Sequence, residues 1–148
     1  MREIKFRAWD KYRNRLINDV LTVKFHRITN DPCLVVYTDK KIKNNSEIKE
    51  SDKEYCNEFN LMQYTGLNDK NGTKIFEGDI LYTKHGAKIE GEGYYETYNE
   101  VVFKNGAFGV IGKTTGEFLS FDYLPIDNEV VCGNIYENEE FRRYFISD

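Results

Sequence analysis

The sequence has little of several residue types whose abundance would narrow its function. Two prolines in 148 residues exclude a proline-rich or collagen-like chain. Three scattered cysteines, Cys33, Cys56 and Cys132, form no CxxC pair, and their odd number argues against a disulfide framework. The two histidines have no partner at the spacing of a zinc site. The sequence therefore predicts no metal site, no cofactor and cysteines that remain reduced. It also predicts that Cys132 is a small buried residue.

Long hydrophobic runs are also missing. No apolar run approaches the ~20 residues of a membrane-spanning helix. The charged start, MREIKFRAWDKYRNR, contains no apolar core of a signal peptide. These absences predict a cytoplasmic protein with no membrane partner.

Aromatic residues, by contrast, are abundant. Eleven tyrosines, ten phenylalanines and one tryptophan favour strands over helices. Alternation of apolar and polar residues predicts strands at 4–9 and 21–26, each with one buried face, and Phe25 lies on the inward face of the second. A short apolar run predicts a well-buried strand at 33–38. From residue 59 onward, short aromatic and β-branched segments recur at the spacing of a small barrel or sandwich.

Residues typical of turns and of helix N-caps lie between and after these strands. Asn71-Gly72 and Asn105-Gly106 each lie between strand-like runs, and a type I′ hairpin turn accepts only residues that tolerate positive φ. Near the end, NEEFRRYF predicts one short helix with Asn138 as its N-cap. Ser51 and Glu54 suit a capping box that would open another short helix.

The segment from 39 to 56 is mostly charged and amide residues and is long for a plain connection. We expect a charged loop or linker there that divides the chain. The predicted fold is mainly β, a β-dominated α+β protein. A small N-terminal β unit, residues 1–58, precedes a C-terminal small barrel, residues 59–148, which ends in the short helix.

Two stretches imitate ligand loops. DKNGTKIFEGD, residues 69–79, has the carboxylates of a calcium loop, but glycine is not at the sixth position that an EF-hand needs. AFGVIGKT, residues 107–114, fits a relaxed phosphate-loop pattern, but strand-like residues follow where a helix is required. Both are explained as hairpins, with Asp79 accepting backbone N–H bonds.

A cluster of glutamates is the remaining candidate for acid/base chemistry. Its members are Glu90, Glu92, Glu96 and Glu100. Nothing in the sequence supplies the burial that would raise a carboxyl pKa for catalysis, so a solvated face is predicted. The sequence therefore assigns no catalytic residue and predicts that the protein is not an enzyme.

The best candidate for binding is the N-terminal segment. Basic and aromatic residues interleave there: Arg7, Trp9, Lys11, Tyr12, Arg13 and Arg15. Basic groups can track phosphates while aromatic rings stack on bases. Residues 1–28 hold eight Lys/Arg against three Asp/Glu, a balance of +5, and the remainder carries −9. Two interpretations stay open: nucleic-acid binding, or packing on acidic parts of the same chain. Overall acidity disfavours the first.

Three motifs in order carry a family resemblance. They are IKFRAWD at the start, MQYTGLNDKNGTKIFEGDIL in the middle and VVCGNIYENEEF near the end. Together they resemble the YopX family of phage and prophage proteins over most of the chain, with residues 27–58 the least recognisable part. The resemblance implies a phage or prophage origin, hence a bacterial host cell, and a β-rich fold with a C-terminal SH3-like barrel. It implies no established activity.

These observations predict a non-enzymatic accessory protein that binds a phage or host macromolecule. The grooves of small barrels are often binding surfaces, and aromatic residues dominate binding energetics. Tyr94, Tyr95 and Tyr98 look more exposed than the other tyrosines. The alternative is a nucleic-acid-binding accessory factor that uses the basic start. A homo-oligomer is compatible with either function.

Overall fold

The computed structural model describes residues 3–39, 48–85 and 95–145, and in this part of the chain it contains twelve β-strands and one short α-helix. In chain order the strands are β1 Phe6–Asp10, β2 Arg15–Ile17, β3 Val20–Phe25, β4 Pro32–Tyr37, β5 Glu54–Cys56, β6 Phe59–Asn68, β7 Lys74–Phe76, β8 Asp79–His85, β9 Tyr95–Lys104, β10 Ala107–Gly112, β11 Phe118–Ser120 and β12 Val130–Asn134. The helix, α1, spans Glu139–Phe145, and 3₁₀ turns lie at Glu50–Asp52 and Ile126–Asn128. The prediction of a mainly β protein is confirmed.

The chain divides into two compact units between Gln63 and Tyr64. We call Ile4–Gln63 the N-terminal unit and Tyr64–Asp148, together with residues 1–3, the C-terminal unit. The division falls a few residues after the end of the predicted first unit because the start of β6 pairs with β1, from Phe6 with Gln63 to Asp10 with Phe59. Within the predicted linker, β5 pairs with β4, and residues 40–47 lie outside the described part.

The N-terminal unit is built on antiparallel pairs. β1 pairs with β2 and β6, and β4 pairs with β3 and β5. The core contains Ala8, Ile17, Val35, Tyr37 and Cys56. The strand predicted at 33–38 is confirmed as β4, whose last three residues are buried.

Three predictions for this unit are wrong. β1 is buried on both faces and not on one, since Arg7, Ala8, Trp9 and Asp10 are all buried. Phe25 is 51% exposed, because the strand ends there and its register shifts between Lys24 and Phe25. No helix follows Ser51. A 3₁₀ turn without a side-chain cap leads into β5 instead, because pairing with β4 extends the backbone.

The C-terminal unit contains a five-stranded antiparallel sheet in the order β11-β10-β9-β8-β12, curled into a half-barrel. Its apolar core consists of Ile75, Leu81, Val101 and Val110. Residues 107–114, which resemble a phosphate loop in sequence, lie in a hairpin of β10 and β11, as predicted. The helix α1 follows β12 at the predicted position. Backbone N–H groups of α1 bond to the Asn138 carbonyl, while Asn138 Oδ1 accepts from Asn134 N.

The two Asn-Gly turns differ. Asn105 and Gly106 have φ of 55° and 79°, so the predicted type I′ turn is confirmed at this site. At Asn71-Gly72 only Gly72 has positive φ, and the predicted type I′ turn is wrong. The buried carboxylate of Asp69 shapes that turn instead, accepting from the backbone N–H of Asn71 and of Thr73.

Cys132 is exposed, so its predicted burial is wrong. The register of the β8–β12 pair shifts between Val131 and Gly133, and this irregularity interrupts the regular alternation of the strand at Cys132. Within the described ranges no helix is long and apolar enough to cross a bilayer.

Candidate binding cleft

A cleft of about 500 Å³ opens in the C-terminal unit. The residues that line it are Lys70, Tyr82, Thr83, Lys84, His85, Tyr95 and Asn128. They come from the β6–β7 turn, the end of β8, the start of β9 and the 3₁₀ turn before β12. The volume lies in the range of ligand sites, about 300–1,000 Å³, and suits a short piece of a larger partner.

The floor of the cleft continues the core face of the sheet. Alternate residues of a strand share a face, so Thr83 and His85 follow Leu81, which lies in the core. Across the ladder Thr83 pairs with Thr97 and His85 pairs with Tyr95. One face of the β8–β9 pair therefore changes from apolar to polar within two residues, where the core ends and the cleft begins.

An aromatic platform forms one wall. The rings of His85 and Tyr95 stack with centroids 4.7 Å apart and planes 15° apart. His85 Nε2 also lies 3.1 Å from Thr97 Oγ1, which fixes the plane of the imidazole. Tyr95 remains 59% exposed, so its ring offers a rigid, flat surface to a ligand.

Cations form the rim. Lys70 and Lys84 are both exposed. The backbone holds Lys70 in place, because its N–H donates to the carbonyl of Glu129 at 3.1 Å. Next to it Asp69 accepts from Val131 N at 2.9 Å. The long-range contacts of the β6–β7 turn thus position a lysine that is distant in sequence from the other lining residues.

Two buried oxygen atoms near the floor lack hydrogen-bond partners in the described residues: Thr83 Oγ1 and Glu129 Oε2. Val130 pairs with Tyr82, so the register continues to place Glu129 opposite Thr83. An unsatisfied buried acceptor destabilises a fold by about 1–3 kcal/mol. Such groups are uncommon in native structures, and two of them beside one cleft suggest a functional role.

Two of the basic residues predicted to bind are engaged inside the N-terminal unit. Arg13 Nη1 donates to Asp10 Oδ2 at 3.0 Å. Arg15 Nη1 donates to Asp39 Oδ2 at 2.7 Å, and Arg15 Nη2 donates to the hydroxyl of Tyr37. The hydrogen bond to Asp39 raises the pKa of Arg15. Self-pairing, one of the two interpretations of the basic start, describes these two residues.

The other four predicted residues separate into two pairs. Arg7 and Trp9 are each 7% exposed and belong to the buried strand β1. Lys11 and Tyr12 are exposed in the turn that follows, Tyr12 by 83%. The six residues therefore share a segment but not a surface. Nucleic-acid binding by this segment stays a prediction, for which Lys11 and Tyr12 are the accessible groups.

The tyrosines predicted to be exposed differ in their surroundings. Tyr95 lines the cleft, whereas Tyr98 is half-buried, with ring centroids 5.3 Å from Tyr82 and 5.8 Å from Phe141. Tyr94 lies outside the described residues. Of the three tyrosines predicted to be exposed, only Tyr95 is known to line the cleft.

Glu100 corrects the prediction of a solvated glutamate face. Its carboxyl is largely buried, and burial raises its pKa to about 7. Glu100 pairs with Ile80 on β8 and with Ile111 on β10. These apolar neighbours in the central strand of the sheet explain the burial. Glu90 and Glu92 lie outside the described residues.

Of the residues that line the cleft, the sequence points only to Tyr95, and it misses six: Lys70, Tyr82, Thr83, Lys84, His85 and Asn128. His85 was considered only as a zinc ligand. In the described ranges no group of three or more His, Cys, Asp or Glu is arranged to hold a metal ion. The alternation of DILYTKH could have placed Thr83 and His85 on one face, but not their partners on β9.

Comparison with known proteins establishes the family. The model of the YopX protein family matches residues 5–141. The chain belongs to the YopX family. Protein EF1440 from Enterococcus faecalis is similar in structure, with a TM-score of 0.63 and 29% identity, over 95% of this chain and 99% of that chain. Protein YopX from Bacillus subtilis shares the fold, with a TM-score of 0.54 and 16% identity, over 95% and 98% of the two chains. No curated protein matches this YopX-family chain.

Proposed function

We propose that this YopX-family protein is a non-enzymatic binding module of phage or prophage origin that acts in the cytoplasm of a bacterial host. Its cleft in the C-terminal unit holds a segment of a partner protein. The observation that carries the proposal is the combination of an exposed aromatic platform with two lysines at the rim. Aromatic anchors and cations are common determinants of protein recognition.

A binding role is favoured over a catalytic one by the residues at the cleft. The residues known to line it include no carboxylate and no thiol. The imidazole of His85 is held by Tyr95 and Thr97. Glu100, whose pKa is raised to about 7, pairs with Ile80 and therefore lies on the sheet face opposite Leu81 and Thr83. Glu100 is also not among the residues known to line the cleft.

A protein partner is favoured over nucleic acid by the charge of the C-terminal unit. Residues 64–148 hold eight Lys/Arg and fifteen Asp/Glu, a balance of −7. Such a charge repels a polyanion at long range. Two lysines act at short range, where they can pair with a single carboxylate of a protein.

Site-specific photo-crosslinking in bacterial cells tests the proposal. The residue p-benzoylphenylalanine is introduced in place of Tyr95, and in parallel in place of Tyr12 and Tyr123, which are 83% and 79% exposed. We expect a protein adduct of one defined mass from position 95 during phage infection or prophage induction. Position 123 is the matched control, since it lies in the same unit but does not line the cleft.

Position 12 tests the rival function. A nuclease-sensitive adduct from position 12 would favour the nucleic-acid factor. The absence of any adduct from position 95, or one of equal yield from position 123, would reject binding at the cleft. Mass spectrometry of the adduct identifies the partner.

A further inference from the structure

We infer that the segment recognised by the cleft is an extended peptide in which a glutamate or aspartate lies next to an aromatic side chain. The inference rests on the proposed function, since it names the chemistry of that same site. Three features of the cleft each select one part of such a peptide: the rim, the platform and the floor.

The rim selects a carboxylate. Lys70 and Lys84 both line the cleft and are exposed. An ammonium group makes its strongest hydrogen bonds with an ionised acceptor. A carboxylate on the peptide is therefore preferred over an amide of the same shape. Lys70 is the rim cation on which this step depends, because Lys84 lies directly across the β8–β9 ladder from Glu96.

The platform selects a flat side chain beside that carboxylate. Tyr95 is 59% exposed, although its ring stacks on His85. An aromatic pair contributes about 0.5–1.5 kcal/mol beyond its buried area. Because the imidazole stacked on it and Thr97 restrain this wall, little ordering entropy is lost when a ring docks on it.

The floor selects a donor. Thr83 lines the cleft, and its Oγ1 is buried without a partner among the described residues. A threonine hydroxyl can accept a hydrogen bond from an N–H group. A peptide backbone carries one N–H donor per residue, whereas a phosphodiester backbone carries none. The same cleft therefore accepts a peptide more readily than a nucleic-acid strand.

Two-dimensional amide NMR of the full chain tests the inference with defined probes. The first probe is acetyl-Tyr-Glu-Tyr-Glu-amide, and its matched control is acetyl-Tyr-Gln-Tyr-Gln-amide. We expect the glutamate peptide to shift the signals of Thr83, Lys84 and His85 with a Kd at least fivefold lower than that of the glutamine peptide. A ten-residue oligothymidylate should leave these signals unchanged.

Charge-removing variants supply the internal control. K70Q should weaken binding of the glutamate peptide severalfold and reduce the difference in Kd between the two peptides, because Lys70 lines the cleft and is exposed. K104Q should leave both unchanged, because Lys104 is exposed in the same unit but does not line the cleft. Equal affinity for the two peptides, no shift at the cleft with either, or shifts there with oligothymidylate would each overturn the inference.

The two proposals can fail separately. An adduct from position 95 together with indifference to the peptide charge would retain the proposed function and reject acidic recognition. No adduct from position 95 and no shift at the cleft would reject both.

Discussion

Val131 donates its backbone N–H to Oδ2 of Asp69 at 2.9 Å, across 62 residues of sequence. The other oxygen of that carboxylate accepts from the N–H of Asn71 and of Thr73. One buried side chain therefore both shapes the β6–β7 turn and fastens it to the edge strand β12. An edge strand that is covered in this way is protected from pairing with other chains. The same contact holds Lys70 beside the cleft.

Substitution of Asp69 by alanine should lower the free energy of unfolding by about 2–3 kcal/mol, because three backbone donors lose a charged acceptor. Burial acts to raise the pKa of Asp69, but the N–H bonds from Val131, Thr73 and Asn71 outweigh it and lower the pKa. The stability from this carboxylate is thus present above its ordinary pKa of 3.8 and is lost as the pH falls below that value. Urea unfolding at pH 7 and pH 3 measures both effects.

The matched control for Asp69 is D122A, since Asp122 is exposed and should leave the urea midpoint unchanged. If D69A and D122A unfold at the same urea concentration, the contact to Val131 does not stabilise the fold.

Substitution of Thr83 by valine should separate stability from binding. The hydroxyl of Thr83 is buried and has no partner in the described parts of the chain, so replacing it with a methyl of similar size should raise the free energy of unfolding by up to about 1 kcal/mol. If the hydroxyl accepts a peptide N–H, the same variant should bind the glutamate peptide severalfold more weakly. Urea unfolding and NMR titration give the two values.

Thr97 provides the opposite case on the neighbouring strand. Its Oγ1 lies 3.1 Å from His85 Nε2, so T97V should lower stability by about 1 kcal/mol. A destabilised T83V with unchanged peptide affinity would show that the Thr83 hydroxyl is satisfied in the folded protein and plays no part in binding.

Much of the fold is predictable from local sequence. Positive φ at Asn105 and Gly106 follows from residue type alone, since few residues tolerate that conformation. The aromatic alternation that predicts strands from residue 59 onward is equally local. Asn71-Gly72 shows the limit. Asp69 shapes that turn by accepting from the N–H groups of Asn71 and Thr73, and its second carboxylate oxygen accepts from Val131, a contact that depends on the order of strands.

The candidate site was less predictable because it depends on pairing register. Lys70, His85, Tyr95 and Asn128 are brought together only once β8 pairs with β9 and β12. The burial of Glu100 is equally hard to predict, because it depends on the strands that pair with β9 on both sides. A run of glutamates in the sequence does not show which strands those are. The sequence could predict chemical types at each position but not which of them meet.

Substitution of Glu100 by glutamine should stabilise the protein above neutral pH. Burial raises the pKa of its carboxyl from 4.5 to about 7, so the folded state binds the proton more tightly than the unfolded state. Stability therefore falls as the pH rises from 4.5 towards 7 and stays low above it. E100Q removes this loss, and we expect a gain of about 1–2 kcal/mol at pH 8, after allowance for the exposed part of the group.

Urea unfolding at several values between pH 5 and pH 8 measures the effect of E100Q. The control is E117Q, because Glu117 is an exposed glutamate of the same unit and should follow the wild-type pH profile. Parallel profiles of E100Q and wild type would show that Glu100 ionises normally in the folded protein.

Substitution of Arg15 by glutamine should lower the free energy of unfolding of the N-terminal unit by about 1 kcal/mol. The guanidinium donates to Asp39 and Tyr37 and lies 3.5 Å from Glu54, so its loss leaves these acidic and phenolic groups without their cation. The figure is modest because Asp39 is half exposed and solvent screens such pairs.

Lys11 is the matched control, since it is exposed in the adjacent turn, and K11Q should leave the urea midpoint unchanged. The opposite ranking, with K11Q destabilising and R15Q neutral, would mean that the N-terminal cations act outside this fold. Arg15 would then return as a candidate contact for an external partner.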